Sequence, residues 1–321
     1  MGKVTLVVVG LIAAAALVSA QADAPKAEIA AGAVRATLYL PDLQAGYYQG
    51  TRFDWAGSIA NLTWKTHSYF GKWFDRYDPK LHDAITGPVE EFQSVGYDDA
   101  KVGESFVRIG VGAVRKPEEQ AYGQFKTYDI VDPGKRTMKR GADWVELTHT
   151  LGDTRGYAYE YRKRVRVTDH TMVLEHYLHN TGSKPIASSV YEHNFYMLDN
   201  QPTGPDTTIR FPFAVSATGA LNGFIETRGH EIAYLKELQD KESIYTELTG
   251  YGASVSDYDI RVENRKTRAA VRQTSDRPIA KLALWSPRST VCPEAYVDVR
   301  VQPGQQTSWR ITYEFYEAAT K

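Results

Sequence analysis

The chemistry open to this chain is narrowed first by its histidines. There are eight: His67, His82, His149, His170, His176, His179, His193 and His230. None falls in a His-x-His or His-Glu-x-x-His pattern, and none has a cysteine partner at metal-ligand spacing. His176 and His179 lie three apart on a stretch that reads as a strand, so they point to opposite faces. No Gly-x-Ser-x-Gly elbow or glycine-rich phosphate loop occurs. The expected chemistry therefore needs neither a metal nor a cofactor. What remains is proton transfer between histidine and carboxylate, and two positions suit it. His193 stands in Ser189–Leu198, on the face shared by Tyr191, Phe195 and Met197. Glu294 follows Pro293 at the mouth of a strand, on the face of Tyr296, Asp298 and Arg300. A glutamate at its ordinary pKa of about 4.3 accepts a proton at neutral pH, and a histidine near 6.5 can donate one. General acid–base catalysis needs such an unlike pair. Two readings of His193 are open from its local sequence: a histidine satisfied inside a β core, or one set among flat rings suited to packing on a sugar. Glu294 reads locally as a surface residue or as a general base. Glu192 points away from His193 and is not expected to share its chemistry.

The elements that must position this pair read as β. Tyrosine is abundant at 21, with 11 Phe and 6 Trp, and aromatic excess with many β-branched residues favours strands. Strands are expected at 36–40, 58–64, 106–114, 144–150, 157–167, 172–180, 186–198, 279–285 and 295–301, and in a final strand carrying Trp309, Ile311, Tyr313 and Phe315. The segments 157–167 and 172–180 pair as a hairpin through Thr168-Asp169-His170-Thr171. The row Glu160, Arg162, Arg164 and Arg166 reads as a solvated sheet face. Residues 23–34 read as a loose lead-in, 70–91 as a long aromatic loop, and 227–249 as a short helix or exposed loop. No strand–helix alternation appears, which excludes a parallel α/β sheet.

Composition bounds the rest. Met1-Gly2-Lys3, the apolar run Val4 to Val18 and the small residues Ser19-Ala20-Gln21-Ala22 read as a cleavable signal peptide over 1–22, implying a periplasmic or secreted protein. One β domain over 23–321 is the economical organisation. The formal charge of −1 gives no electrostatic case for nucleic acid or an anionic membrane surface. No later stretch is long and apolar enough to span a bilayer. The one cysteine, Cys292, excludes an intrachain disulfide and is expected to be buried.

Several motifs together resemble the galactose mutarotase-like superfamily, the aldose 1-epimerases. Leu174 to Ile186 is similar to that family's strand, Asn-Thr-Gly turn and proline restart. Glu192-His193-Asn194-Phe195-Tyr196-Met197-Leu198 resembles its His-x-Tyr-Phe-x-Leu strand. Val291-Cys292-Pro293-Glu294-Ala295-Tyr296, with Pro303-Gly304 and the spacing Trp309, Tyr313, Phe315, resembles its C-terminal segment. The proline here precedes the glutamate, where the family has it after, and the family's Leu-His-Gly-Gly segment is not evident. The resemblance implies an all-β fold, a large antiparallel β supersandwich. It implies His193 as general acid and Glu294 as general base in the interconversion of sugar anomers. Arg52 or Arg115 would supply the family's sugar-contacting arginine, with Arg52 favoured among Tyr48, Phe53, Asp54 and Trp55. His82 or His149 would stand in for the second histidine. Arg52, Asp54, His82, Tyr191 and Tyr296 are the expected substrate-binding set, for a monosaccharide or the sugar end of an oligosaccharide. A non-catalytic carbohydrate-binding protein and a polysaccharide-processing enzyme are the alternatives. The latter would draw on carboxylates such as Asp54, Glu90, Glu91 and Glu294.

Overall fold

Two antiparallel sheets, one of ten strands and one of six, organise the chain. The computed structural model describes residues 24–319; the expected signal peptide over 1–22 lies outside the described residues. Four-stranded and three-stranded sheets complete the set. Among the described residues the helical content is two 3-10 turns, Leu198–Asn200 and Val255–Asp257. The fold is thus all-β and antiparallel, as the residue pattern implied, and the supersandwich that the resemblance implied.

The long central strands follow from strict alternation. Thr171–Asn180 buries Met172, Leu174, His176, Leu178 and Asn180 and turns the residues between them outward. It pairs with Tyr157–Val167 on one side and Gln306–Glu317 on the other. A period of two puts one side of each strand in the core. Cys292–Val301 does the same for the six-stranded sheet, with Ala295, Val297, Val299 and Val301 facing inward. The inner faces of the two large sheets share one apolar cluster that includes Leu174, Tyr313, Val190, Val297 and Leu284.

A second apolar cluster lies on the other face of the six-stranded sheet. Phe53, Trp55, Ile85, Val89, Phe195 and Cys292 belong to it, with Trp73 and Trp285 packed against it. The end of the expected 70–91 loop is a strand, Val89–Phe92, paired with Ile186–His193, and only the part before it acts as a packed cover over the sheet. Trp73 anchors it, stacking on Phe195 at 4.9 Å and donating its indole N–H to the Ile85 carbonyl at 2.9 Å. Gly87 lets the cover come close, since a Cβ there would stand 2.4 Å from the His193 carbonyl oxygen. Where the cover stops, the sheet is open, and the cleft described below begins.

Several expectations are corrected. The strand expected over 106–114 is a hairpin of two, Ser105–Arg108 and Gly112–Arg115. Residues 23–34 are not a loose lead-in, because Lys26–Ala31 is a strand paired with Val34–Tyr39. Its alternating Ala27 and Ile29 reach the core. Residues 227–249 hold no helix. They contain Glu231–Tyr234 and Ser243–Thr249, and the latter buries Ile244, Thr246 and Leu248 in turn. Leu235 and Tyr245, which suggested helical spacing, are exposed. The strand expected over 186–198 ends at His193, as Ile186–His193. Phe195 has φ +48°, and this left-handed backbone breaks the ladder just past the histidine.

Candidate active site

The outward face of the six-stranded sheet collects side chains from neighbouring strands by register. Tyr191 lies opposite Tyr296 on one side and Glu91 on the other. Tyr296 lies opposite Lys281, Glu294 opposite Ala283, and Cys292 opposite Trp285. Residues of one face recur every second position, so His193, Glu294, Tyr191, Tyr296 and Glu91 share that face. They line a cleft of about 680 Å³ that also takes in Arg52, His82, Asp83, Gln93, Gln124, Phe125, Phe195 and Trp285. Tyr245 and Lys281 stand at its sheet-edge rim.

His193 and Glu294 are side by side, with Nε2 3.4 Å from Oε1. Rings hold the imidazole on three sides. Phe195 stacks on it at 3.9 Å, while Phe53 and Trp285 meet it edge-on at 5.5 and 5.3 Å. Its Nδ1 is buried without a hydrogen-bond partner. Burial first, and the nearby Arg52 charge second, push the His193 pKa well below its ordinary value. Burial also lifts the Glu294 carboxyl to about 8, with Arg52 opposing and Glu91 adding to the rise. Low dielectric disfavours each charged form. The resting pair thus holds one proton, on Glu294, with the imidazole neutral. This inverts the resting states expected from unperturbed values, in which His193 carried the proton and Glu294 was ionised. The number of protons on the pair is the same in both.

Arg52 is fixed beside them. Its Nε donates to Glu91 Oε2 at 2.7 Å and its Nη2 to the Tyr191 hydroxyl at 3.1 Å. That hydroxyl donates in turn to Glu91 Oε2 at 2.6 Å. Glu91 holds the guanidinium charged against the cost of its burial. The Tyr191 and Tyr296 rings stack at 4.3 Å. His82 comes from the cover loop, its ring 5.1 Å from Phe125. Burial lowers its pKa, and Asp83 opposes that shift.

Of the expected site residues, the fold thus brings His193, Glu294, Arg52, His82, Tyr191 and Tyr296 to one cleft. Asp54 is corrected: it does not line the cleft. It is buried, its Oδ1 accepts from the Ala56 N–H at 2.8 Å, and it faces the core between the sheets. Residues 51–53 form a bend rather than a strand, so a period of two does not carry the facing of Arg52 over to Asp54. Arg115 and His149 are also elsewhere. Arg115 is the exposed last residue of the otherwise buried strand Gly112–Arg115, and His149 bonds the Pro133 carbonyl and the Tyr159 hydroxyl.

No family model matches the sequence, and no curated protein matches it. Solved structures do. A galactose mutarotase-like protein from Clostridium acetobutylicum superposes with a TM-score of 0.58 at 12% identity, covering 92% of this chain and 100% of its own. An aldose epimerase homologue from C. elegans gives 0.56 at 13%, with 92% and 100% covered. A galactose mutarotase-like protein from Lactobacillus casei gives 0.53 at 12%, with 91% and 100% covered. The chain has the galactose mutarotase-like fold.

Within this mutarotase-like fold, a second histidine–carboxylate cluster lies behind the first. Glu90 and Glu192 pair across the same two strands, facing the core. His176 Nε2 is 2.7 Å from Glu90 Oε1 and 3.7 Å from Glu192 Oε1. These three residues present ligand atoms within 4.8 Å of one another. The Lys163 ammonium, 2.5 Å from Glu90 Oε2 and fully buried, already supplies the cation there. The cluster gives the mutarotase-like fold a polar seam, and it was not legible in the sequence. Lys163 alternates against the visible row Arg162, Arg164 and Arg166, so it was hidden by its charged neighbours. Phe125, Gln93, Gln124 and Lys281 were missed as cleft residues for want of any local motif. Trp285 had a signal, as the last residue of an expected strand.

Proposed function

We propose that the cleft binds an aldopyranose and interconverts its anomers by acid–base ring opening. One observation carries the reading: a histidine and a carboxylate stand side by side, 3.4 Å apart, at the floor of an aromatic-lined cleft. The ring oxygen and the anomeric hydroxyl of an aldopyranose are bonded to the same carbon. Two proton-transfer groups a hydrogen-bond length apart match that edge of the sugar. In the reacting complex, protonated His193 gives its proton to the ring oxygen while Glu294 removes the anomeric hydroxyl proton. The C1–O5 bond breaks and the C1 carbonyl forms. Rotation about C1–C2 and the reverse transfers close the ring on the other face.

Ring opening leaves His193 neutral and Glu294 protonated, the state that burial favours in the free cleft. The proton must therefore pass from Glu294 to His193 as the sugar binds, a cost in the closed complex that ring opening gives back. Arg52, fixed by Glu91 and Tyr191, offers its remaining donors to sugar oxygens, and Phe195, Trp285 and Tyr296 offer apolar surface. The Val4 to Val18 segment, outside the described residues, supports export of the chain.

Freshly dissolved α-glucose or α-galactose, followed by one-dimensional proton NMR, tests the reading. Anomer exchange is expected to run well above the buffer rate at micromolar protein. Sugar binding with exchange at the buffer rate would overturn catalysis and leave a carbohydrate-binding protein. Appearance of new reducing ends from a polysaccharide would support processing instead.

A further inference from the structure

We infer that the cleft holds a second sugar ring against Tyr245, so that the substrate is the reducing end of an oligosaccharide rather than a free monosaccharide. This rests on the proposed anomer exchange and extends it to the class of substrate. The first ground is size. A hexopyranose, with the bulk of roughly six or seven water molecules, fills on the order of 200 Å³, whereas the cleft holds about 680 Å³. The second is direction. Ala283 lies opposite Glu294, and Tyr245 lies opposite Trp285 on the next strand outward. Tyr245 therefore stands two strand spacings from the strand of Glu294, about 10 Å away. A pyranose ring, a few bonds of about 1.5 Å across, spans roughly half of that, so the ring at His193 does not reach it.

The third ground is the surface itself. Between Tyr245 and the strand of Glu294 stands Trp285, which lines the cleft and meets the His193 ring edge-on at 5.3 Å, so the aromatic floor runs from the histidine toward Tyr245. Tyr245 is 57% exposed at its end, a large ring presented to solvent at a cleft mouth. Beside it the Lys281 ammonium donates to Glu247 at 2.6 Å. A flat aromatic face next to a fixed donor and acceptor is the combination that the C–H face and hydroxyls of a sugar ring fit.

Anomer exchange of glucose, maltose, cellobiose and lactose, measured by NMR with the wild type and Tyr245→Ala, tests this. At least one disaccharide is expected to show kcat/KM about tenfold above glucose. Tyr245→Ala should remove that advantage and leave the glucose rate within about twofold. Disaccharides no better than glucose, or a variant that slows both alike, would overturn the second subsite while anomer exchange stands. If every sugar exchanges at the buffer rate, the catalytic reading has failed instead. Saturation-transfer binding of the same sugars then decides the subsite, by whether Tyr245→Ala weakens the disaccharides selectively.

Discussion

Two neighbouring strands, Val89–Phe92 and Ile186–His193, carry a histidine–carboxylate site on each of their faces. Outward, Glu91, Tyr191 and His193 meet Glu294 at the cleft. Inward, Glu90 and Glu192 meet His176 and Lys163 between the sheets. The residue types are nearly the same, and both sites are buried from bulk water. They differ in how charge is settled. Inside, burial opposes ionisation of Glu90, but Lys163 and His176 outweigh it and hold the carboxyl at about 2. Outside, no lysine or arginine among the described residues is bonded to Glu294, its neighbour is the neutral imidazole of His193, and burial prevails, lifting it to about 8. A paired carboxylate is locked ionised and serves the fold. An unpaired one beside a cleft keeps a mobile proton near neutral pH, which is what acid–base work needs.

Removing the mobile proton should have the largest effect. His193→Ala is expected to fold and to lose about 10²- to 10⁴-fold in anomer exchange. A variant with an unchanged NMR exchange rate would remove His193 from the chemistry and break the contrast between the two faces.

The inner site should answer in stability. Lys163→Met leaves the Glu90 charge buried with His176 alone, and loss of one partner of a buried pair costs about 3–5 kcal/mol. Urea unfolding should show that loss. Exchange per folded molecule should stay within about twofold of wild type. A stable variant, or one that folds but has lost exchange, would mean that the two faces are not separate systems.

The smallest effect concerns pH, and its sign differs between the faces. The folded-state pKa of Glu294 is raised from 4.5 to about 8, so the fold prefers its protonated form. The stability this gives is whole below about pH 4.5, declines as pH rises, and is gone above about 8. Glu90 is lowered from 4.5 to about 2, so its contribution is whole above 4.5 and is lost as pH falls toward 2. Glu294→Gln should therefore gain melting temperature relative to wild type between pH 5 and pH 8, measured by calorimetry. Wild-type anomer exchange should also fall above about pH 8, where the pair loses its one proton. A melting-temperature gap that stays constant from pH 5 to 8 would show that Glu294 is ionised in the fold.

Much of the scaffold was legible locally. The alternation in Tyr157–Val167, Thr171–Asn180 and Cys292–Val301 is a property of single strands, and each was read within a few residues. Short strands escaped where charge masked the period. In Ser243–Thr249 the buried Ile244, Thr246 and Leu248 alternate as well as any, but Leu235, Leu238 and Tyr245 happened to mimic a helix. The side of the strand that His193 shares with Tyr191 and Phe195 was readable, and so was the distance of Glu192 from its chemistry.

The residue order by itself determined the antiparallel β class, the facing of His193 and Glu294, and the burial of Cys292, because side-chain direction along a strand is set by the backbone period. Tertiary structure decided the rest. Which strands become neighbours put Glu294 beside His193 and sent Asp54 to the core. The cover loop then removed water from the pair. Proton affinity depends on the neighbours and solvent that the folded chain supplies, so the residence of the proton on Glu294 exists only once the sheet, the cover and Arg52 are together.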